Sequence, residues 1–247
     1  MNAPRWLLPL VCATTLAFVP ARAAVLVHEY ALLGSLNDRV GNTPLTALGG
    51  QITALGYVFA ANQGLTFSSP TLSPVNYSLE FSFKLDTVAG NRKLVDFQSL
   101  TSNQGLYVHN GALDFLVSAT TGPIIAAQTN VHLVLTRDNP TSLVSVYVNG
   151  QFGFSFSDTG SLATANGPNG AFRFFVDDLV TSQTEASGGT VNYMRFFNGA
   201  LTSGEVSALF AAGPPQAVPE PSTYALLSVG GIVMAVTALR RRRSGSA

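Results

Sequence analysis

Between Tyr77 and Asp86 the chain alternates strictly: Tyr77, Leu79, Phe81, Phe83 and Leu85 are apolar, and Ser78, Glu80, Ser82, Lys84 and Asp86 between them are polar. Successive strand side chains point to opposite faces, so the pattern specifies a strand with one buried face and one wet face. A parallel strand covered on both sides would read as a continuous apolar run; this one belongs in an antiparallel sheet. On this reading Glu80 faces solvent. Further β-rich stretches follow at Lys93–Phe97, Gly105–His109, Ala112–Val117, Asn130–Arg137, Leu143–Val148, Phe152–Phe156, Phe172–Val176 and Thr190–Phe197. Asn110-Gly111 and Asn149-Gly150 are the dipeptides that two-residue hairpins favour. At the second, a two-residue loop sets Tyr147 opposite Phe152, whereas a longer loop changes the partners. One helix is expected, Thr202 to Phe210, because Thr202 and Glu205 stand at capping-box spacing and Leu201 with Val206 can form the accompanying staple. Many short strands and one short helix make an all-β sandwich or barrel.

The long apolar runs sit at the two ends. Met1 to Ala23 has a basic start at Arg5, an apolar stretch from Trp6 to Val19 and Ala21-Arg22-Ala23 as a small-x-small site. This is the pattern of a signal peptide over residues 1–23, with cleavage leaving Ala24 as the first mature residue. The single cysteine, Cys12, lies inside that segment, so the mature domain is expected to have neither thiol chemistry nor a disulfide. Toward the other end, Tyr224 to Leu239 runs sixteen residues without a charge. At about 1.5 Å per residue it covers roughly 24 Å, short of a hydrocarbon core of about 30 Å. A membrane helix is expected over 222–239, with Arg240, Arg241, Arg242 and Arg243 held on the cytoplasmic side and everything before Pro219 outside. Pro219-Glu220-Pro221 cannot continue that helix and stands extended. The domain is placed at 24–212, and Ala211-Ala212-Gly213-Pro214-Pro215 reads as the start of a linker, 213–218, that keeps it clear of the membrane.

In that order, the Val218-Pro219-Glu220-Pro221-Ser222 box, the apolar span and the four arginines resemble a PEP-CTERM sorting signal. The resemblance implies an exosortase, a membrane protease-transpeptidase that processes the 219–247 tail near its Pro-Glu-Pro. It also implies a Gram-negative, exopolysaccharide-producing host, an inner-membrane intermediate with a periplasmic domain, and a final place on the cell surface or in the extracellular matrix. A plain C-terminal membrane anchor is the other reading.

Inside the domain, an ordered series resembles the concanavalin A-like (laminin G-like) domains. It comprises Gly56-Tyr57-Val58-Phe59, Asn62-Gln63-Gly64-Leu65, Tyr77 to Phe83, Lys93 to Phe97, Gly105 to Val108, His132 to Asp138, Val146 to Gly150, Phe174 to Asp178, and Val191 to Phe197 running on through Gly199 to Val206. The resemblance implies a jelly-roll sandwich of two antiparallel sheets. It names no function, since this fold hosts lectins, glycosidases and adhesion modules.

Composition and motifs exclude several chemistries. Between Ala24 and Ala217 there are seven Lys or Arg residues against twelve Asp or Glu, without a basic cluster, so nucleic acid is not an expected partner. Glycosidases of this fold carry a Glu-x-Asp-x-x-Glu pattern, with two carboxylates about 5 Å apart for a retaining mechanism. None of Glu29, Glu80, Glu185 and Glu205 has an acidic partner at that spacing. His28, His109 and His132 lack zinc spacing, and no serine elbow, phosphate loop or dinucleotide fingerprint occurs. The best candidate site is Asp177-Asp178 with Glu185, in the loop from Asp177 to Gly189, where a strand end lets the two aspartates converge. Adjacent like charges need solvent or a cation, and calcium accepts six to eight oxygens from such a loop. A solvated acidic loop is the alternative. Lys93 and Asp96 would face opposite sides of a strand, and Arg137-Asp138 reads as a strand entering a turn. Tyr107, Tyr147 and Tyr193 are available as sugar-stacking rings. The expected function is non-catalytic: a secreted surface or matrix protein that adheres to or binds extracellular polysaccharide. A glycan hydrolase on the same fold and a matrix component without a defined ligand are the alternatives.

Overall fold

The computed structural model describes residues 23–116, 121–166 and 170–216. Ala21 of the expected cleavage site and Val218 to Arg243 of the expected sorting tail lie outside the described residues. Among the described residues no helix is long and apolar enough to cross a membrane.

Among the described residues, fifteen strands and one helix follow one another: β1 (Val25–Tyr30), β2 (Thr46–Ala47), β3 (Gln51–Thr53), β4 (Gly56–Phe59), β5 (Leu65–Phe67), β6 (Tyr77–Leu85), β7 (Asn91–Asp96), β8 (Gly105–His109), β9 (Ala112–Leu116), β10 (Thr121–Ile124), β11 (Val131–Asp138), β12 (Leu143–Val148), β13 (Gln151–Ser157), β14 (Phe172–Phe174), β15 (Gly189–Asn198) and α1 (Ser203–Ala212). They form two antiparallel sheets. The first runs β13-β12-β11-β6-β15-β4-β3, with β1 also paired to β15; the second runs β10-β9-β8-β7-β14-β5-β2. This is the expected jelly-roll sandwich.

The alternating residues of β6 aim Leu79, Phe81 and Phe83 into the space between the sheets, where they meet Phe172 and Phe174 from β14 and Phe196 from β15. Each ring fully removed from water contributes about 1.5–3 kcal/mol, so this aromatic seam dominates the cohesion of the sandwich. Asn110 and Gly111 take φ of 48° and 89°, and Asn149 and Gly150 take 49° and 76°, the left-handed pairs that primed hairpin turns require. The second loop is therefore the two-residue one, and Tyr147 lies opposite Phe152 with ring centroids 5.7 Å apart.

Helix α1 begins at the expected cap: Thr202 accepts from the Glu205 amide and Glu205 reaches back to the Thr202 amide. It runs two residues past the expected end, to Ala212. It lies on the outer face of the first sheet, where Val206 and Leu201 pack with Val134, Tyr147 and Phe197, and with part-buried Ala24. That covering corrects one expectation. Glu80 is fully buried, because the polar face of β6 is roofed rather than wet.

Two further expectations change. Lys93 and Asp96 do meet, with Nζ 3.3 Å from Oδ2. The register of β7 on β8 slips between Lys93 and Val95, so a bulge turns both side chains to the same side. The expected linker is docked where it is described: Arg195 donates to the Gly213 carbonyl at 3.3 and 3.4 Å, and Pro215 is buried.

Candidate functional site

Two polar clusters stand out, one at the rim of the second sheet and one on the outer face of the first. The rim cluster is built by the end of β14. In a regular strand Phe174 and Phe175 would point apart, yet both are buried, because Phe175 adopts φ of 60°. A left-handed phenylalanine is costly, and its ring is held by Phe59, Phe81 and Phe83. The turn delivers Asp177 and Asp178 to the rim with both side chains fully buried.

The loop then closes over them. Asp177 accepts from the Glu185 amide at 2.8 Å and Asp178 from the Val180 and Thr181 amides at 2.8 and 2.9 Å. Lys93, itself buried, donates to Asp178 at 2.8 Å. Glu185 accepts from Asn91 at 2.7 Å, and Arg92 clips the loop through the Thr184 and Ala186 carbonyls. Ligand atoms of Asp177, Asp178 and Glu185 lie within 4.8 Å of one another, close enough to hold one metal ion. The Asn103 amide sits among them, 2.9 Å from Glu185 Oε2 and 3.0 Å from Asp178 Oδ2, donating to both when its nitrogen faces inward.

The charges do not balance. The Lys93 ammonium meets Asp96 at 3.3 Å and Asp178 at 2.8 Å, and Asp177 and Glu185 lie beside Asp178. Burial pushes the Asp177 carboxyl up, only partly offset by the Glu185 and Asp178 amides. Burial also pushes Asp178 up, but Lys93 and the Thr181 and Val180 amides outweigh it and bring that carboxyl to about 2. The Tyr107 hydroxyl is raised by burial and by Asp177, Asp178 and Glu185.

The second cluster was missed by sequence reasoning. Register places Ser82 of β6 between His132 of β11 and Tyr193 of β15, with Glu80 two residues along, beside Val134 and Arg195. Glu80 Oε1 accepts from His132 Nε2 at 3.1 Å, Tyr193 at 3.3 Å and Arg195 at 3.2 Å, while Arg195 Nε donates to Glu29 at 3.0 Å. Arg39 stands 3.9 Å from the other Glu29 oxygen, so two carboxylates meet two guanidiniums. Burial and the Glu80 charge raise the Tyr193 hydroxyl.

Above this network, beside α1, opens a groove of about 480 Å³, walled by His132, Asn149, Asn192, Tyr193, Phe210 and Pro214 among others. A second depression of about 600 Å³ shares Leu55, Asn130 and Asn192 with it and includes Lys84. The one sequence signal that could have found it is a row of polar residues on facing strands, readable only once the register is known.

The other candidates fall elsewhere. His28 is buried between Asp38 and Thr71, and His109 bonds Asn91 at the surface. Arg137 is a buried partner of Asp158. Tyr107, Tyr147 and Tyr193 are all buried, so none offers an open ring; Phe152 and Phe210 are the exposed aromatics among the described residues. Glu29 and Glu80 approach one another only across the Arg195 guanidinium.

Comparison with known proteins gives two family matches: the concanavalin A-like lectin/glucanases superfamily over residues 59–207 and the PEP-CTERM protein-sorting motif over residues 217–243. No curated protein matches the chain. Among solved structures, the chain is similar to domain 4 of AbnA, a GH43 extracellular arabinanase from Geobacillus stearothermophilus solved in complex with arabinotriose. That match has 21% identity over 76% of this chain and 98% of the other, with a TM-score of 0.55. It is also similar to a Trypanosoma rangeli sialidase solved with 2,3-difluorosialic acid, at 19% identity over 75% of this chain, with a TM-score of 0.59, but spans only 32% of that protein. A botulinum neurotoxin serotype D binding domain matches at 12% identity, over 76% of this chain and 52% of the other, with a TM-score of 0.54. At these identities the structures share the fold.

Proposed function

The chain belongs to the concanavalin A-like lectin/glucanases superfamily and carries a PEP-CTERM protein-sorting motif behind its domain, and from that premise we propose a secreted, exosortase-processed surface protein that binds extracellular polysaccharide without cleaving it. The observation that carries the binding site is the groove beside α1, with a polar floor and Leu55 and Phe210 on its rim. Sugar rings present both hydroxyl and C–H faces, and such mixed walls suit them. The arabinotriose in the arabinanase-domain structure supports an oligosaccharide as the ligand class.

The reading is non-catalytic because no carboxylate is among the described residues that line the groove, and Glu29 and Glu80 beneath it are both paired with Arg195. A glycosidase needs two carboxyl groups at the scissile bond, one as acid and one as nucleophile or base. Incubation of the purified protein with a polysaccharide panel separates the readings. Saturable retention without new reducing ends is expected; release of reducing ends would establish a hydrolase, and no retention at all would leave a matrix component without a ligand.

Before maturation, residues 1–23 direct export and residues 222–239 anchor the domain on the periplasmic side. Exosortase then acts near Pro219-Glu220-Pro221, and the product reaches the surface or matrix of a Gram-negative cell. Replacing the three residues with alanine should leave a longer, membrane-retained species on immunoblots; unchanged size and location would overturn this route.

The rim cluster is assigned to calcium. Asp177, Asp178 and Glu185 supply the carboxylates. The support is the excess of buried negative charge over Lys93. The ion's role there is to fix the loop from Asp177 to Gly189.

A further inference from the structure

Two buried acceptors on the groove wall have no donor within the protein: His132 Nδ1 and Asn192 Oδ1. His132 is 5% exposed and its orientation is fixed. Its Nε2 faces the Glu80 carboxylate at 3.1 Å, so in the neutral ring the proton lies on Nε2 and Nδ1 presents a lone pair. Asn192 is fixed as well, since its Nδ2 donates to the Leu55 carbonyl at 3.2 Å and the oxygen faces the other way. Asn192 belongs to both the groove and the second depression.

The charges below are paired within the network, Glu29 and Glu80 against Arg195 and Arg39. The groove therefore offers fixed acceptors rather than a net charge. Among the described residues that line the second depression, Lys84 is the one cation.

Resting on the glycan-binding reading, we propose that the groove selects a neutral, hydroxyl-rich saccharide, which donates hydroxyl hydrogens to His132 Nδ1 and Asn192 Oδ1 while a C–H face lies on Phe210. A uronate carboxylate brought to the same place would set oxygen against an acceptor lone pair and is disfavoured. An extended peptide could also donate, through its amides, but it lacks the vicinal donors that two fixed acceptors on one wall engage together.

The test uses the purified protein, nitrogen-15 labelled, titrated with arabinotriose, cellotriose, trigalacturonate and tetraglycine. A neutral trisaccharide is expected to bind and to move the His132 Nδ1 resonance toward the hydrogen-bonded range, with trigalacturonate at least about tenfold weaker. Asn192→Leu is expected to lower neutral-sugar affinity about tenfold with its folded spectrum retained. Lys84→Met should leave it unchanged. Equal or tighter trigalacturonate binding would overturn the selectivity while leaving glycan binding intact. Neutral-sugar binding with Nδ1 unmoved, or movement of Nδ1 by tetraglycine alone, would overturn it too. Retention of no saccharide would sink the glycan reading itself, and this inference with it.

Discussion

The rim cluster and the groove network are both built from buried charge, yet they resolve it in opposite ways. At the rim, Asp96, Asp177, Asp178 and Glu185 gather beside Lys93; the loop's own amides engage both Asp177 oxygens and Asp178 Oδ1, while Asp96 Oδ2 meets only the Lys93 ammonium. Under the groove, Arg195 and Arg39 match Glu29 and Glu80, and the buried atoms left without a hydrogen-bond partner are Arg39 Nη1 and, on the groove wall, His132 Nδ1 and Asn192 Oδ1. A surplus of one sign calls for a cation and a closed loop. A balanced pair leaves its surroundings open to an uncharged visitor.

The largest expected effect comes from Lys93→Met. Removing the ammonium leaves four carboxylates without their buried counter-charge, and breaking such a pair costs about 3–5 kcal/mol. For a domain of this size that lowers the melting midpoint by about 10 °C. Added calcium or mild acid should restore part of the loss, and a midpoint unchanged by the substitution would remove the rim's dependence on Lys93.

Arg195→Met should cost about 3 kcal/mol through the stranded Glu80 and the released Gly213 carbonyl. Here calcium should restore nothing, and a shared rescue would erase the contrast between the clusters. Chelation of the wild-type protein is next. A site filled at about 100 times its dissociation constant contributes roughly 2.7 kcal/mol, so EDTA should lower the melting midpoint measurably, and Asp177→Asn should abolish that response. No EDTA effect would assign the rim to Lys93 alone.

Acid titration in EDTA gives a smaller signal. Asp178 stands near 2 in the folded protein, below the ordinary aspartate value of about 3.9, so its contribution is complete above about pH 4 and disappears as pH falls through about 2. A loss of about 2 kcal/mol across that window is expected, opposed in part by Asp177, whose raised carboxyl favours acid. Urea midpoints between pH 2 and 5 read it, and Lys93→Met should flatten the curve. Smallest is Phe210→Ala: its half-exposed ring should cost under about 1 kcal/mol in stability, while oligosaccharide affinity falls several-fold. Undiminished affinity would move the ligand off this groove.

Much of the fold was legible. The alternation of Tyr77 to Leu85, the Asn-Gly turns and the Thr202–Glu205 cap each depend on neighbours within a few residues, and each appears as expected. What alternation cannot say is whether a second face is roofed. Glu80 looked wet because the roof, α1, lies more than a hundred residues on. Lys93 and Asp96 looked opposed because a bulge depends on the partner strand. Asp177, Asp178 and Glu185 were found as a candidate trio by sequence nearness; Lys93 and Asn103 come from distant strands and loops and were not. The short edge strands β2 and β3 carry too few residues for any period to show.

Pro215 is buried against the domain, and the sorting motif starts at residue 217. Pro219 is four positions on from Pro215, a tether that even fully stretched reaches only about 14 Å. An enzyme cutting there would therefore approach almost flush with the sandwich, and whatever is joined to the new end would be held near the groove that Pro214 and Pro215 line.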